Sequence, residues 1–424
     1  MDVPTAFALF GAIIVVGFLG AMLFQRLKIP DVLILIFLGM LIGPIALLFG
    51  WQWFSIETLK PYTPYFASVA LLVILFEGGL YLNFDKVLQT IGSASMFTIS
   101  IFTLNISVSA ILFILLFKMP LLLGVMFGAI CGGTSGAIVV PLVSRLSVKE
   151  ETKVILTLEA VLTDVICVVV VIAILQYLSM GNVDTGTSIA NAAKQIAAAF
   201  SVAIVIGLIF GIFWLWFLKK LVGKPYAFMM TIAVLFLLYA FTETAGGNGA
   251  MAGLIFGMVL GNKDEITRIF KIKTEFVLDE RIKEFESEVS FFVRTFFFVY
   301  LGLMFSFTSL TYWVLGTILI LIAAFMGVRL LVTCVLVSWR SGLSSDWQIM
   351  ATMFPRGLAA AVLATLPLSS GVAGTENFVG FAFLVILFSN IIPTAATFVF
   401  ERKKLKENSK QKPEQKIHSA QKNS

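Results

Sequence analysis

The sequence has little charge, one histidine and three cysteines, and each shortage excludes a class of protein. Asp, Glu, Lys and Arg make up 13% of the 424 residues, whereas soluble domains carry about 25%. The single histidine, His418, lies near the C-terminus, and the cysteines show no metal-ligand spacing. A soluble domain, a Cys/His metal site and a nucleophile–histidine pair are therefore not expected. We predict that the chain is not an enzyme and needs no cofactor.

Hydrophobic residues, in contrast, make up 59% of the chain, with 41 Phe among them. Apolar runs of about 20 residues recur along almost all of it, and each is long enough to cross a bilayer as a helix. The first run lacks the features of a cleaved signal peptide and is interpreted as a retained span. The expected fold is an all-α polytopic membrane protein with about thirteen transmembrane helices. The predicted spans lie near residues 4–24, 30–50, 62–83, 88–117, 119–143, 152–178, 195–218, 225–242, 247–261, 289–307, 310–338, 347–368 and 376–400.

The distribution of basic residues predicts the orientation of these spans. With the N-terminus outside, the inside loops and the tail carry 24 Lys and Arg, and the outside loops carry 3. Such an excess places the basic loops and the C-terminus in the cytoplasm of a cell-membrane protein. Residues 1–400 then form one transmembrane domain, and the polar, basic residues 401–424 form a disordered tail that can touch lipid headgroups. No nucleic-acid partner is expected, because no basic patch occurs on a soluble fold.

Two of the predicted spans contain residues that interrupt helices. The fifth contains "CGGTSGAIVVP" at residues 131–141, and the twelfth contains "MFPRGLAAAV" at residues 353–362. Pro removes a backbone donor, and each Gly costs about 1 kcal/mol of helix propensity. If two six-span halves are joined by the seventh span, both interruptions fall in the fifth span of a half. Matched interruptions are the best sequence indication of a transporter site between inverted repeats.

Six ionisable residues lie inside predicted spans and at least five residues from either end, where charge is costly and usually functional. Three are acidic, namely Glu77, Glu159 and Asp164, and three are basic, namely Arg294, Arg329 and Arg356. Arg294 lies near a cytoplasmic end and can extend its charge to the headgroups. Arg329 lies deeper and either braces a helix end or pairs with an acid. Arg356 lies at an interruption and most needs a buried partner.

Asp164 is the expected working residue of this set. On one helix, Glu159 and Asp164 point about 140° apart, since each residue turns the helix by about 100°, so they are not expected to share a proton. We expect one acid to be paired permanently with an Arg and the other to be free. Asp164 lies beside Thr163 and within reach of the opened backbone at Thr134 and Ser135. A carboxylate among hydroxyl and carbonyl oxygens binds hard cations, and it can bind a proton instead.

A group that binds either ion in a site opened alternately to each side makes an exchanger. A channel would need a continuous pore lined by rings of charges or carbonyls, and the sequence offers one deep Asp instead. An ion-coupled symporter of a small organic anion, which also uses interrupted helices, is the alternative. It requires a polar substrate pocket beyond the ion site.

Four segments resemble landmarks of the prokaryotic monovalent cation:proton antiporters, in particular the NhaP-like branch related to sodium/proton exchangers. They are "LFEGGL" at 75–80, "LEAVLTD" at 158–164, "FFFVYLGL" at 296–303 and "PRGLAAAVLA" at 355–364. The resemblance implies inverted six-helix repeats whose interrupted helices cross near the membrane midplane, and a homodimer. It also implies that Asp164 carries the exchanged ion, that Glu159 forms a structural ion pair with Arg356, and that Glu77 assists. The exchanged ions would be a proton and one of the cations Na⁺, K⁺ and Li⁺.

The sequence departs from the family pattern at the expected cation site. Where the family has Glu-Ser, two residues, then Asn-Asp, this chain keeps Glu159 and Asp164 but has Ala160 and Thr163. Where the family has Thr-Asp-Pro, it keeps Thr134 but has Ser135 and Gly136. Fewer charged oxygens suit a larger, less hydrated cation, and "TSGAIVVP" also resembles potassium/proton antiporters. The sequence predicts electroneutral exchange of Na⁺ or K⁺ for H⁺ and leaves the choice of cation open.

Overall fold

The computed structural model of the chain describes residues 11–19, 31–50, 62–81, 84–144, 146–179, 187–221, 227–269, 280–303 and 311–421, together with residues 4, 7, 22 and 305. The described part is entirely helical apart from turns and short connections, as the hydrophobic runs predict. Its main helices are α1 (Asp31–Met40), α2 (Thr63–Tyr81), α3 (Phe84–Phe117), α4 (Leu121–Gly132), α5 (Gly136–Ser144), α6 (Glu150–Ser179), α7 (Thr187–Leu221), α8 (Ala227–Thr244), α9 (Gly249–Gly261), α10 (Glu280–Leu303), α11 (Tyr312–Trp339), α12 (Trp347–Thr352), α13 (Leu358–Ser369) and α14 (Phe378–Gln421).

Five helices of the described chain are long and apolar enough to cross a membrane: Ala94–Phe117, Glu150–Leu178, Ala197–Leu218, Tyr312–Trp339 and Phe378–Phe400. Six shorter apolar helices accompany them, at Leu33–Leu48, Tyr65–Leu80, Leu121–Gly132, Met229–Thr244, Gly249–Gly261 and Leu358–Ser369. The chain is therefore a multi-pass membrane protein. The count of thirteen spans and the division at residue 400 stay predictions.

Glycines bring two pairs of helices into backbone contact. Between α2 and α9, a Cβ atom added to Gly79 or Gly257 would lie 2.2 Å from a carbonyl oxygen of the facing helix. Between α1 and α10, a Cβ on Gly39 or Gly302 would lie 2.1 or 2.2 Å from such an oxygen. Small residues allow this approach, which replaces hydrophobic packing as the source of helix association in lipid.

One end of the core is fixed by Asp346, which is buried just before α12. Its Oδ2 atom accepts a hydrogen bond from the backbone N–H of Lys149 at 2.7 Å and from the hydroxyl of Thr152 at 3.0 Å. Both donors lie at the N-terminus of α6, where unpaired N–H groups favour a carboxylate. Helix α6 is therefore tied to the connection that leads into α12.

Candidate functional site

The two predicted interruptions are present, and they lie against each other. The chain leaves helical geometry between Gly132 and Gly136, and again between Thr352 and Leu358. The backbone N–H of Ser135 donates to the carbonyl of Pro355 at 2.8 Å. A Cβ atom on Gly357 would lie 2.1 Å from the Ser135 hydroxyl oxygen, so only glycine fits there. Each interruption thus satisfies backbone groups of the other that a continuous helix would have bonded.

Asp164 faces the first interruption from α6. Its Oδ2 atom accepts a hydrogen bond of 3.0 Å from the backbone N–H of Gly136, the first residue of α5. A helix N-terminus carries partial positive charge, so the carboxylate is stabilised by the helix end that it contacts. Among the residues that the structure describes, none donates a hydrogen bond to Oδ1. This oxygen is available to a proton or a cation.

Glu159 is held by three hydrogen bonds and is fully buried. Its two carboxylate oxygens receive Nη1 and Nη2 of Arg329 at 2.6 and 2.8 Å, a bidentate ion pair. The hydroxyl of Thr134 donates to Oε1 at 2.8 Å. Arg329 also donates from Nε to the carbonyl of Met350 at 2.7 Å, and its guanidinium lies over the ring of Phe97.

The expected pairing of Glu159 with Arg356 is therefore wrong. Arg329 lies on α11, and its side chain reaches both α6 and the half-helix α12. The side chain of Arg356 instead extends across the interruption towards α4. Arg329 takes the role of acid partner, which was one of its two possibilities. The sequence could not choose between the two arginines, because the choice depends on how α11 is rotated against α6.

Arg356 instead binds the end of a half-helix. Its Nη1 atom donates to the carbonyl of Gly132 at 3.1 Å and to that of Gly133, and lies 3.5 Å from the Thr134 hydroxyl oxygen. The last carbonyls of α4 have no partner within the helix and carry partial negative charge. The buried guanidinium also lies over the ring of Phe325. Arg356 therefore neutralises the C-terminal end of α4.

The two threonines at the site are also committed to hydrogen bonds. Thr163 accepts the backbone N–H of Thr134 at 2.9 Å, and its hydroxyl lies 3.1 Å from the carbonyl of Ala160 and 3.2 Å from that of Thr134. Thr134 and Thr163 are buried, as is Ser135. Thr163 thus holds the first interruption against α6.

Glu77 approaches the site from α2. The hydroxyl of Ser290, on α10, is hydrogen bonded to its carboxylate, and Arg294 is close enough for its charge to act on Glu77. Glu77 in turn is near enough to Asp164 for the two charges to interact. The structure therefore brings Glu77, Asp164, Thr134, Ser135 and Thr163 into one region. Arg294 lies near Glu77, whereas contact of Arg294 with the headgroups stays a prediction.

Three buried residues around the interruptions were missed by the sequence reasoning. Asn105 of α3 donates to the carbonyl of Gly132 at 2.9 Å. Ser389 and Asn390 of α14 bond the backbone of Arg356. Asparagine within an apolar run was the available signal, because a polar side chain in lipid needs a partner.

The chain matches a known protein family and several known proteins in sequence. The family described as "Sodium/hydrogen exchanger, transmembrane" matches residues 11–402. The K(+)/H(+) antiporter NhaP2 of Shewanella sp. strain MR-4 is 28% identical in an alignment of 409 positions that covers 93% of this chain and 66% of that protein. The Na(+)/H(+) antiporter 1 of Methanocaldococcus jannaschii is 24% identical over 374 residues, covering 86% of this chain and 83% of that protein.

A solved structure, that of the sodium proton antiporter MjNhaP1 from Methanocaldococcus jannaschii at pH 8, matches in fold. The TM-score is 0.74 at 22% identity, over 93% of this chain and 97% of that one. The chain spans 66% of the length of the NhaP2 protein that it resembles. Because the family match covers nearly the whole chain, from residue 11 to residue 402, the protein belongs to the transmembrane sodium/hydrogen exchanger family.

Proposed function

We propose that the protein is a secondary active antiporter that exchanges a monovalent cation for a proton, with Asp164 binding either ion. The observation that carries this proposal is the state of the Asp164 carboxylate. One oxygen is fixed by the Gly136 N–H at the start of a half-helix, and among the described residues no donor is bonded to the other. This is the arrangement that reversible binding of a small cation requires. The antiport activities named for the two relatives support the same function.

The binding cycle follows from the contacts of the site. Protonated Asp164 is neutral, so a cation has no reason to bind. When the proton leaves, the carboxylate supplies the charge, and the remaining oxygen ligands come from Glu77, Ser135 and the Thr134 peptide. Thr163 supports that peptide through its hydroxyl. Because proton and cation compete for one carboxylate, a cycle in which both sides are reached alternately produces exchange.

The alternating access that exchange needs fits a pair of inverted repeats within thirteen spans. In that layout α1 and α2 are the second and third spans, and α9 and α10 are the ninth and tenth. The repeat maps the second span onto the ninth and the third onto the tenth. The glycine contact of α1 with α10 therefore maps onto that of α9 with α2. Both contacts are present, which supports the repeat.

The ends of the half-helices show the same correspondence. A donor on the preceding long helix binds a carbonyl of the first half-helix, Asn105 in one repeat and Arg329 in the other. An acceptor on the following helix binds an N–H near the second half-helix, Asp164 in one repeat and Ser389 in the other. These contacts come from helices that correspond in the proposed repeats, which supports them. The charged member is the acceptor Asp164 in the first repeat and the donor Arg329 in the second.

The same proposal includes the expectations for assembly and cation choice. The N-terminus lies outside and the C-terminus in the cytoplasm, as the basic loops indicate. The chain works as a homodimer in the cell membrane. Ser135 stands where the sodium-type pattern has an Asp, so the site carries less negative charge, and K⁺ is accepted as well as Na⁺.

The test is cation-dependent proton flux by the purified protein in liposomes. A pH gradient is imposed, and Li⁺, Na⁺, K⁺ or Rb⁺ is added as the only candidate substrate. Dissipation of the gradient is expected for the wild type and not for Asp164→Asn, which keeps the shape of the side chain and removes the ionisable group. Equal flux by that folded variant would overturn the mechanism, and flux that required an added organic anion would indicate the symporter.

A further inference from the structure

Two neighbouring side chains of α14 hold the peptide groups on either side of Arg356. The Ser389 hydroxyl oxygen accepts the N–H of Arg356 at 3.1 Å. The Asn390 amide donates to the carbonyl of Arg356 at 2.7 Å. Both side chains are buried, with exposed fractions of 1% and 0%. Residues 353–357 lie between α12 and α13, so these backbone groups lack the partners that a helix would supply.

A series of hydrogen bonds between the two interruptions links these contacts to Asp164. The guanidinium of Arg356 is spread over the carbonyls of Gly132 and Gly133, and Pro355 accepts the N–H of Ser135. The next residue, Gly136, donates to Asp164. Arg356 is also close enough to Asp164 for its charge to act on that carboxylate. The position of the Arg356 backbone therefore sets how far a fixed positive charge lies from the ion-binding carboxylate.

We propose that Ser389 and Asn390 are positioning residues that keep the Arg356 guanidinium on the α4 carbonyls and thereby maintain the affinity of Asp164 for its cation. If either contact is lost, the backbone at Arg356 loosens and the guanidinium can turn towards the carboxylate. There it competes with the transported cation, because both are positive and bind the same oxygens. This inference rests on the proposed exchange function and deepens it by adding determinants of substrate affinity.

The test compares Ser389→Ala and Asn390→Ala with the wild type in the liposome exchange assay. Each variant is expected to raise the KM for the cation by up to about tenfold, on the scale of one lost hydrogen bond between neutral groups, with an unchanged maximal rate. Ser389→Thr keeps the hydroxyl and is expected to restore the wild-type KM. The matched control is Thr397→Val, since Thr397 is equally buried on α14 and its hydroxyl bonds only its own helix, at the carbonyl of Thr394.

A second measurement separates positioning from folding. The cation concentration that gives half of the increase in Tm in detergent reports binding without transport, and it is expected to rise by the same factor. In an Arg356→Met background, Ser389→Ala is expected to leave the KM unchanged, because the competing charge is gone. A variant that loses maximal rate or folded protein but keeps the wild-type KM would overturn the inference. The proposed function would still stand in that case, as long as the wild type exchanges cations. Failure of the wild type to exchange any cation would overturn both.

Discussion

At the scale of single residues, the number of hydrogen bonds that each carboxylate accepts distinguishes Glu159, which is fixed in place, from Asp164, which has an oxygen open to an ion. Glu159 receives two bonds from Arg329 and one from Thr134. Among the residues that the structure describes, only a backbone N–H donates to Asp164. Losing one partner of a buried pair costs about 3 to 5 kcal/mol, so Glu159 cannot release its arginine in each cycle. Asp164 has no such bond to break.

The ion pair itself can be measured. Glu159→Gln and Arg329→Met are each expected to lower the free energy of unfolding in detergent by about 3 to 5 kcal/mol, because each leaves a buried charge without its partner. The double variant is expected to lose less than the sum, since no charge is stranded. The same cycle with Arg356→Met provides the comparison, and stronger coupling of Glu159 to Arg356 than to Arg329 would contradict the structure.

Cation preference is a second property of individual residues. Ser135→Asp adds a carboxylate beside Asp164 and is expected to strengthen binding of Na⁺ and Li⁺ relative to K⁺. The gain is up to about 1 to 4 kcal/mol, as for a charge at about 4 Å with effective dielectric constants of about 80 to 20. Competition between Na⁺ and K⁺ in the exchange assay measures it, with Ser135→Asn as the uncharged control. An unchanged ratio of the two KM values would show that residue 135 does not contact the cation.

At the scale of helices, the two interruptions depend on a fit that leaves no room for one methyl group. Gly357→Ala would place a Cβ atom 2.1 Å from the Ser135 hydroxyl oxygen and 2.7 Å from its Cβ. We expect this variant to lose most of its exchange activity, because the interruptions must separate and the bond from Ser135 to Pro355 must lengthen.

Removing the opposing side chain should restore the fit. The double variant Gly357→Ala with Ser135→Gly is expected to recover the Tm in detergent that Gly357→Ala alone loses. Thermal stability is the readout because Ser135 is also a proposed cation ligand, so exchange would fall for a second reason. Gly327→Ala is the control, since a Cβ there meets no atom within 4 Å. If the double variant is no better than Gly357→Ala alone, the direct clash is not the cause of the defect.

The sequence predicts the interruptions because their causes are local. Consecutive glycines at 132–133 and the Pro355–Gly357 segment weaken a helix wherever it packs. The partners of the ionisable residues are not local: they depend on which face of α11 meets α6 and on how far Arg356 extends. Both interruptions are therefore confirmed, the role of Asp164 stays a prediction, and the arginine that the sequence reasoning assigned to Glu159 was wrong. Asn105, Ser389 and Asn390 matter only because a half-helix ends opposite each of them.

At the scale of the whole molecule, the charge moved in each cycle follows from how many groups gain or lose a charge at the proposed ion site. In the proposed cycle only Asp164 does so, because Thr163 beside it cannot change charge. Each loaded state therefore carries one positive ion, and exchange is expected to be electroneutral. Flux is measured with the membrane potential clamped at zero and at about −100 mV, where one net charge would change the driving force by about 2.3 kcal/mol. A clear voltage dependence would mean that a second group, for which Glu77 is the candidate, also releases a proton.

The pairing of Glu159 with Arg329 has a consequence for how the protein is made. The partners are 170 residues apart in sequence, so α6 leaves the ribosome long before α11 does. Until then a carboxylate sits in a membrane segment without its counter-ion, at a cost of about 2.5 to 3.5 kcal/mol. Insertion of the first half of the chain therefore includes a cost that is removed only once Arg329 has been made. The core around the interruptions becomes complete only after α11 has been translated and has packed against α6.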